Sequence, residues 1–269
     1  MWPFSKKRYS ILESGLLQGM TDCHCHILPG VDDGIQTMDE SLRALQKMSE
    51  LGVREIWLTP HIMEDIPNSP EDLRRRFASL FGNENEDENE KKVHVPVHVP
   101  VNIHLAAEHM LDNLFIQRFA NDDLLPYQDE TFNSPLSRRG AWGEGLLLVE
   151  TSYFHPPMGL YDILENIRKK GYTPLLAHPE RYMYMDDTDY RRLQDMGVKL
   201  QLNILSLAGA YGETAARKSH HLLHQGAYSC MGSDLHNLNS FLEYVDVRCL
   251  TKDNIKKCQE LKLIKSISL

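Results

Sequence analysis

The stretch Asp-Cys-His-Cys-His-Ile at residues 22–27 closes an apolar run of strand length and decides how the rest of the chain is interpreted. Side chains alternate along a strand, so Asp22, His24 and His26 are predicted to share one face. Cys23 and Cys25 are then predicted to point the other way, into packing. Five later strand candidates also end at a histidine or a carboxylate, at His61, Glu108, Glu150, His178 and the pair Asp234 and His236. Because the carboxyl ends of parallel strands meet at one mouth, these side chains are predicted to converge there.

Strands and helices alternate along the chain, which predicts an α/β architecture with a parallel sheet. The strand candidates are 20–27, 54–59, 101–107, 146–150, 172–177, 198–202 and 227–232. Helices are predicted at 37–52, from 69 onward, and at 109–119, 158–170, 188–196, 213–225 and 251–264. Seven strands without an internal break favour a TIM-like (β/α)7 barrel that forms a single domain over 1–269. Residues 1–19 are predicted to be an N-terminal extension, and 83–100 and 122–145 to be loop excursions.

Composition and charge narrow the class of partner. The formal net charge is -9, and an acidic surface repels phosphate backbones, so nucleic acid is not an expected partner. The five cysteines show no disulfide-framework spacing, which favours reduced thiols and a cytoplasmic protein. The basic N-terminus is not followed by an apolar run long enough for a signal peptide or a membrane span. Stable membrane insertion is therefore not expected.

The convergent side chains have the composition of a metal site. With Asp33 from the loop after the first strand, the candidate ligands are His24, His26, Asp33, His61, Glu108, Glu150, His178, Asp234 and His236. The four carboxylates would repel one another and raise each other's pKa values, and metal ions cancel that repulsion. Mixed imidazole and carboxylate ligands suit zinc, manganese or iron better than calcium or magnesium alone. The set is too large for one ion and is enough for roughly three, with a bridging carboxylate.

The sequence lacks the residues that two other hydrolytic mechanisms require. A cysteine phosphatase needs an arginine six positions after its cysteine, and none of the five cysteines has one. The sequence also has no G-x-S-x-G element. Some histidines are not expected to bind metal: His94, His98 and His104 are predicted to be structural or solvated. His220 and His224 have helical spacing, but no nearby carboxylate is expected to complete a site.

Taken in order, the motifs resemble those of a known superfamily. They are Asp-x-His-x-His-Ile…Val-Asp-Asp-Gly (22–34), Thr-Pro-His (59–61), Ala-Glu (107–108), Val-Glu-Thr-Ser (149–152), Ala-His-Pro-Glu-Arg-Tyr (177–182) and Ser-Asp-Leu-His-Asn-Leu (233–238). The chain resembles the PHP superfamily and, within it, the bacterial protein-tyrosine phosphatases that regulate capsule and exopolysaccharide synthesis. The Val-Asp-Asp-Gly and His-x-Glu-Arg-Tyr elements are the specific ones.

The resemblance implies a distorted barrel of the PHP type with three divalent metal ions, manganese first and iron or zinc as alternatives. It divides the ligands into three sets: His24, His26, Glu108 and Asp234; then Glu108, Glu150 and His178; then Asp33, His61 and His236. It implies that Asp22 orients a ligand histidine, that Arg181 grips the phosphate, and that His178 also serves catalysis. The family's further arginine after the Asp-x-His motif is missing, because residues 237–241 read Asn-Leu-Asn-Ser-Phe.

The implied function is metal-assisted hydrolysis of phosphotyrosine on proteins, with no covalent enzyme intermediate. The expected substrate is the tail of a tyrosine kinase that controls capsular or exopolysaccharide synthesis. Three alternatives remain: a small-molecule phosphomonoesterase such as a histidinol phosphatase, a nuclease, and a non-catalytic regulator that binds a kinase tail. The acidic charge argues against the nuclease. The complete ligand set argues against the regulator, because binding alone needs no such cluster.

Overall fold

The structure is a computed structural model that describes residues 7–81, 101–127 and 145–261. Most of the two predicted excursions lies outside the described residues, and so do His94 and His98. The last predicted helix also extends beyond them. Within the described residues, no helix combines the length and the apolar character that crossing a membrane requires.

The strands form a parallel sheet that is interrupted in two places. In chain order the strands are β1 (Thr21–Cys25), β2 (Glu55–Leu58), β3 (His61–Ile62), β4 (Asn102–Leu105), β5 (Glu108–Met110), β6 (Gly145–Glu150), β7 (Tyr172–Leu176), β8 (Lys199–Asn203) and β9 (Cys230–Gly232). Leu58 pairs with Leu105, and three residues later His61 pairs with Glu108. The break between β2 and β3 therefore matches the break between β4 and β5. These four strands count as two, which gives the seven that the sequence predicts.

The sheet curls until its two ends meet. The neighbour order is β1-β2-β4 in one part and β3-β5-β6-β7-β8-β9 in the other. The ring closes just past β9, where the Asp234 amide donates to the His24 carbonyl at 2.7 Å. The His26 amide likewise donates to the Leu235 carbonyl at 2.9 Å. The predicted α/β fold, a distorted seven-stranded barrel, is confirmed.

Helices fill most of the crossovers between strands. Among the described residues they are α1 (Ile11–Ser14), α2 (Met38–Glu50), α3 (Pro70–Ser79), α4 (Asn113–Ala120), α5 (Leu160–Lys169), α6 (Asp187–Asp195), α7 (Gly212–Gln225), α8 (Leu238–Val245) and α9 (Lys252–Gln259). Two 3₁₀-helices, Pro179–Arg181 and Ile204–Ala208, follow β7 and β8. The predicted N-caps hold: the Thr37 and Ser69 side chains accept from the amides of Glu40 and Asp72.

The predicted helix over 109–119 is wrong at its start. Residues 108–110 form β5 instead, because they hydrogen-bond between β3 and β6, and α4 begins only after its N-cap Asp112. Tertiary pairing overrides the local helical pattern here. The predicted helices also omit α1 and α8. Residues 11–14 were too few to show a helical period, and α8 has only eight residues.

Two buried clusters support the mouth. The main core lies between the sheet and the helices, and a smaller inner cluster fills the barrel with Cys23, Trp57, Ala106, Tyr127, Leu146, Leu148, Leu175, Ala177 and Cys230. Cys23 belongs to the inner cluster and Cys25 to the main core, so the predicted shared orientation of the two thiols is wrong. The pairing register shifts between Asp22 and Cys25, which interrupts the expected alternation. Both cysteines are nevertheless fully buried packing residues, as predicted.

The described ends of the second excursion lie away from the mouth. Tyr127 pairs with Leu146 near the amino end of β6, whereas Glu150 is at the carboxyl end of the same strand. The Tyr127 hydroxyl donates to the Cys23 carbonyl within the barrel. The described part of the N-terminal extension packs onto the barrel, because Ile11 is fully buried in the main core and Tyr9 pairs with Leu250.

Candidate metal centre

All nine predicted ligand side chains meet at the carboxyl end of the barrel. They form four overlapping groups in which the ligand atoms lie within 4.8 Å of one another: His26, Asp33, His61 and His236; His24, His26 and Asp234; His24, Glu108 and His178; and His61, Glu108 and Glu150. Seven of the nine residues are buried, and Asp33 and His236 lie at the open edge. The overlap of the groups shows that the side chains surround one shared space.

Glu108 occupies the middle of this space. Its Oε2 atom lies 3.1 Å from His24 Nε2 and 3.2 Å from His61 Nδ1. Its Oε1 atom lies 3.0 Å from His178 Nε2. The two oxygens of one carboxylate therefore face different imidazoles. This is the arrangement that a carboxylate bridging two metal ions requires.

Several ligand atoms are buried without a hydrogen bond. His61 Nδ1 lies 3.0 Å from Glu150 Oε1 and 3.2 Å from Glu108 Oε2, yet none of these three atoms has a hydrogen-bond partner among the described residues. His24 Nε2 and His26 Nε2 lie only 3.1 Å apart. Buried polar atoms normally find partners, and exceptions need an explanation. A divalent ion among these atoms supplies it, so the donor set fits a metal site.

The electrostatics agree with that fit. Burial alone would lower the pKa of His24, but the nearby Glu108 and Asp234 outweigh burial and raise it to about 9. The hydrogen bond with His236 lowers the pKa of Asp33 to about 2. The carboxylates thus hold a positive charge in the site by keeping protons on imidazoles. Divalent ions would replace those protons, because metal binding requires neutral imidazoles and ionised carboxylates.

The backbone adopts unusual conformations at two ligands. His178 has φ 31° and Asp234 has φ 52°, which places both in the left-handed region that non-glycine residues seldom adopt. Such conformations cluster at functional sites, where the surrounding structure maintains them. Gly34 meets a different requirement, because a Cβ atom there would lie 2.2 Å from the His26 carbonyl oxygen. This close approach explains the glycine of the Val-Asp-Asp-Gly element.

The side chains that orient the ligand histidines differ from the prediction. Asp32 Oδ2 lies 2.8 Å from His26 Nδ1, and Gln201 Oε1 lies 3.1 Å from His24 Nδ1. Asp22 contacts no imidazole: it accepts from the Ser233 hydroxyl at 2.6 Å and from two amides, those of Ser233 and His24. Burial raises the pKa of Asp22 to about 6. Asp22 therefore supports His24 through the backbone and not through the ring.

Sequence reasoning missed both orienting residues for identifiable reasons. Asp32 stands beside Asp33 in the Val-Asp-Asp-Gly element, and only the loop conformation shows which of the two faces the metal groups. Gln201 lies within β8, between Leu200 and Leu202. A buried polar residue on a predicted central strand was the available signal, since such a residue needs a partner.

Arg181 lies beside the ligands in a cavity of about 540 Å³. Its Nη1 donates to Asp234 Oδ2 at 2.7 Å. Its other N–H groups have no acceptor among the described residues. The start of α8 contributes Asn237, Ser240 and Phe241 to the cavity wall, at the positions where the resemblance implies a further arginine. Arg181 is therefore the arginine that lines this cavity within the described part of the chain.

Of the histidines that are not expected to bind metal, the described ones lie outside the centre. His104 stacks on Trp57 with ring centroids 4.5 Å apart, which is a structural role. His220 and His224 belong to none of the candidate metal groups in the described residues. Asp253 lies 3.1 Å from the Nδ1 atom of His224, but this exposed pair belongs to no group of three candidate ligands among the described residues.

The barrel and its mouth of histidines and carboxylates define an α/β barrel protein whose mouth has the donor set of a metal centre. The model of the family described as "Capsular polysaccharide synthesis, CpsB/CapC" matches residues 20–123 and 142–250. The chain belongs to this family.

Individual relatives agree with the family assignment. The chain is 26% identical over 224 residues to the tyrosine-protein phosphatase YwqE of Bacillus subtilis. This match covers 82% of this chain and 79% of that protein. The chain is 27% identical over 257 residues to the tyrosine-protein phosphatase CpsB of Streptococcus pneumoniae, covering 90% and 94%. A solved structure from the work on YwqE and CpsB, described as unique metal-dependent tyrosine phosphatases, superposes with a TM-score of 0.64. It is 22% identical and covers 92% of this chain and 95% of that one, which supports the fold.

Proposed function

We propose that this protein is a metal-dependent protein-tyrosine phosphatase. The observation that carries the proposal is the set of nine ligand side chains around one space, with buried and unpaired oxygen and nitrogen atoms at its centre. The relatives named as tyrosine-protein phosphatases support the same activity. Bound divalent ions would supply a nucleophile at neutral pH and neutralise the phosphate's charge.

The chain's own residues contribute position and charge. The N–H groups of Arg181 that do not donate to Asp234 suit the outer oxygens of a phosphate, because a guanidinium presents a planar fork of donors. Phe241 and Tyr244 also line the cavity and give it an aromatic wall beside the ligands. A volume of about 540 Å³ admits the phenyl ring of phosphotyrosine together with its phosphate. The tyrosine leaving group has a pKa of about 10 and therefore departs with modest help.

The finer assignments are also proposals. We infer three divalent ions, with manganese first and iron or zinc as alternatives, from four overlapping groups that share Glu108. In this assignment Asp33, His61 and His236 hold the outermost ion, and the central position of Glu108 makes it the bridge. The main core runs from Ile11 to Cys258, which supports a single domain for the described chain.

The proposed substrate is phosphotyrosine on a protein, specifically the tail of a tyrosine kinase in capsular or exopolysaccharide synthesis. The family description supports the link to capsular polysaccharide. We also propose a cytoplasmic location, because the five cysteines show no disulfide-framework spacing, which favours reduced thiols.

The decisive experiment combines metal removal with a substrate panel. Purified protein is stripped with a chelator, reloaded with manganese, iron or zinc, and assayed on a phosphotyrosine peptide and on histidinol phosphate. We expect no hydrolysis after chelation, restored hydrolysis after reloading, and a clear preference for the peptide. Full activity in a demonstrably metal-free sample contradicts the metal mechanism. Preference for histidinol phosphate would instead assign the small-molecule activity.

A matched pair of histidine variants controls for the general effect of losing an imidazole. His61→Ala removes a buried group at the centre, whereas His221→Ala removes an exposed one that contacts Asp187 and Gln225. We expect the His61 variant to lose metal and activity and the His221 variant to keep both. Elemental analysis and peptide hydrolysis report the two outcomes separately.

A further inference from the structure

Two tyrosine rings enclose the guanidinium of Arg181. The guanidinium carbon lies 4.3 Å from the ring centroid of Tyr153 and 4.0 Å from that of Tyr211. Tyr153 follows β6 and Tyr211 precedes α7, so the two rings come from different crossovers of the barrel. A cation held against two aromatic faces is attracted electrostatically to both. The rings thereby limit where the guanidinium can point.

Tyr211 makes a second contact that Tyr153 lacks. Its hydroxyl donates to Asp234 Oδ2 at 3.1 Å, the same oxygen that accepts from Arg181 at 2.7 Å and from Asn203 at 2.8 Å. The other oxygen of Asp234 faces the ligand histidines, 3.4 Å from His26 Nε2. Asp234 therefore contacts both the metal groups and Arg181. Tyr211 contacts Asp234 through its hydroxyl and Arg181 through its ring.

We propose that Tyr211 is a positioning residue that holds Arg181 in register with the metal groups through its ring and its hydroxyl. The inference rests on the proposed phosphatase function. It follows from charge and geometry: Arg181 is mostly buried and pairs with a carboxylate that also serves the metal groups. Without the two rings the flexible arginine would have many other rotamers, and ordering it at each substrate encounter would cost conformational entropy.

The residue matters because, apart from the candidate metal ligands, the described lining of the cavity contains one cationic side chain, Arg181. α8 contributes Ser240, Phe241 and Tyr244 to the lining, and these side chains carry no positive charge. Among the described residues that line the cavity, Arg181 is the one arginine, and no lysine joins it. Holding this single guanidinium in place should therefore have a large effect on phosphate recognition.

The test is a set of variants at Tyr211 and Arg181. Tyr211→Leu removes the ring face and the hydroxyl, while Tyr211→Phe keeps the face. We expect Tyr211→Leu to lose roughly tenfold in kcat/KM on a phosphotyrosine peptide, with partial rescue by Phe. Arg181→Ala should lose roughly a hundredfold. Adding Tyr211→Leu to Arg181→Ala should cost nothing further, because Tyr211 acts through Arg181. An additive loss in the double variant would overturn the proposal.

A chemically matched control exists elsewhere on the surface. Arg192 stacks on the ring of Tyr161 at 3.5 Å, outside the cavity, and Tyr161→Leu should leave kcat/KM and phosphate affinity at the parent values. Metal content, measured by elemental analysis, should be the same in every variant, which excludes collapse of the centre as the cause.

Calorimetric binding of inorganic phosphate separates this inference from the proposed function. Phosphate affinity requires no turnover, so it reports on Tyr211 even if the parent protein does not hydrolyse phosphotyrosine. We expect Tyr211→Leu to weaken phosphate binding about as much as it lowers kcat/KM. Unchanged phosphate affinity in Tyr211→Leu refutes the positioning role, whereas an inactive parent with Tyr211-dependent phosphate binding refutes only the phosphatase.

Discussion

Asp32→Asn is the substitution that best separates support of the metal centre from metal ligation itself. Asp32 Oδ2 lies 2.8 Å from His26 Nδ1 and accepts from the His61 amide at 3.0 Å, while Oδ1 accepts from the Gly34 amide at 3.0 Å. The substitution preserves shape but converts one oxygen into a donor. Whichever way the amide is turned, at least one buried N–H loses its acceptor.

The magnitude follows from these contacts. Leaving a buried donor unsatisfied costs about 1–3 kcal/mol of folding free energy. Loss of the acceptor that orients a ligand imidazole typically weakens metal affinity by about 10–100-fold, or about 1.4–2.7 kcal/mol. The loss of metal affinity should be greatest at the candidate metal groups that contain His26 and His61. We therefore expect weaker manganese binding together with reduced stability of the metal-free protein.

The assay is competition for manganese against a chelator of known affinity, with urea unfolding of the metal-free protein in parallel. Asp187→Asn is the control, because Asp187 also contacts a histidine ring, that of His221 at 2.9 Å, but on the exposed surface. It should change manganese affinity by less than twofold. If Asp32→Asn binds manganese as tightly as the parent does, the orienting role of Asp32 is refuted.

Three further outcomes are expected. Cys23→Ala with Cys25→Ala should keep its metal, measured by elemental analysis, because neither thiol belongs to a candidate metal group; loss of metal in a folded variant would contradict this. Leu148→Ala should lower the free energy of unfolding by about 2–5 kcal/mol in urea, because Leu148 is fully buried in the inner cluster; a loss below about 1 kcal/mol would mean that the cluster collapses around the gap. A hydrogen bond with His104 lowers the pKa of Glu55, so its contribution is present above the unfolded pKa and is lost as pH falls through the folded pKa. Glu55→Gln should therefore destabilise the protein more at pH 7 than below about pH 4 in urea titrations, and a pH-independent difference would refute the linkage.

The proposed positioning of Arg181 bears on the second arginine that the resemblance implies after the Asp-x-His motif and that residues 237–241 do not contain. Residues 237–241 place the N-cap Asn237 and the buried Phe241 at the cavity wall instead of a second guanidinium. The two rings around Arg181 then compensate by ordering the guanidinium that remains. The wall would also favour an aromatic substrate over a small polar one, which agrees with phosphotyrosine.

The sequence by itself determined the barrel and the place where its functional residues gather. Alternating strands and helices identify the fold class, because each strand needs an amphipathic crossover to cover its outer face. The histidines and carboxylates stand at strand ends, and parallel strands in a closed sheet bring those ends to one mouth. The residue types at the strand ends and the order of the strands are enough for this prediction, so it needs no side-chain coordinates. The roles of the nine ligands as metal binders remain predictions.

Only the tertiary structure decided how that mouth is organised. The irregular register at Asp22 and Cys25 separates the two thiols, and no pattern of residue types signals such a shift. The pairing of Glu108 with β3 turns a predicted helix start into a strand, because hydrogen bonds to distant segments outweigh local propensity. The contacts of Gln201 with His24 and of Tyr211 with Asp234 join segments far apart in the chain, and the contact of Asp32 with His26 depends on the conformation of the loop between them. Such contacts require atoms to be placed to within a few tenths of an ångström. The closed barrel determines that placement, and the order of residues alone does not.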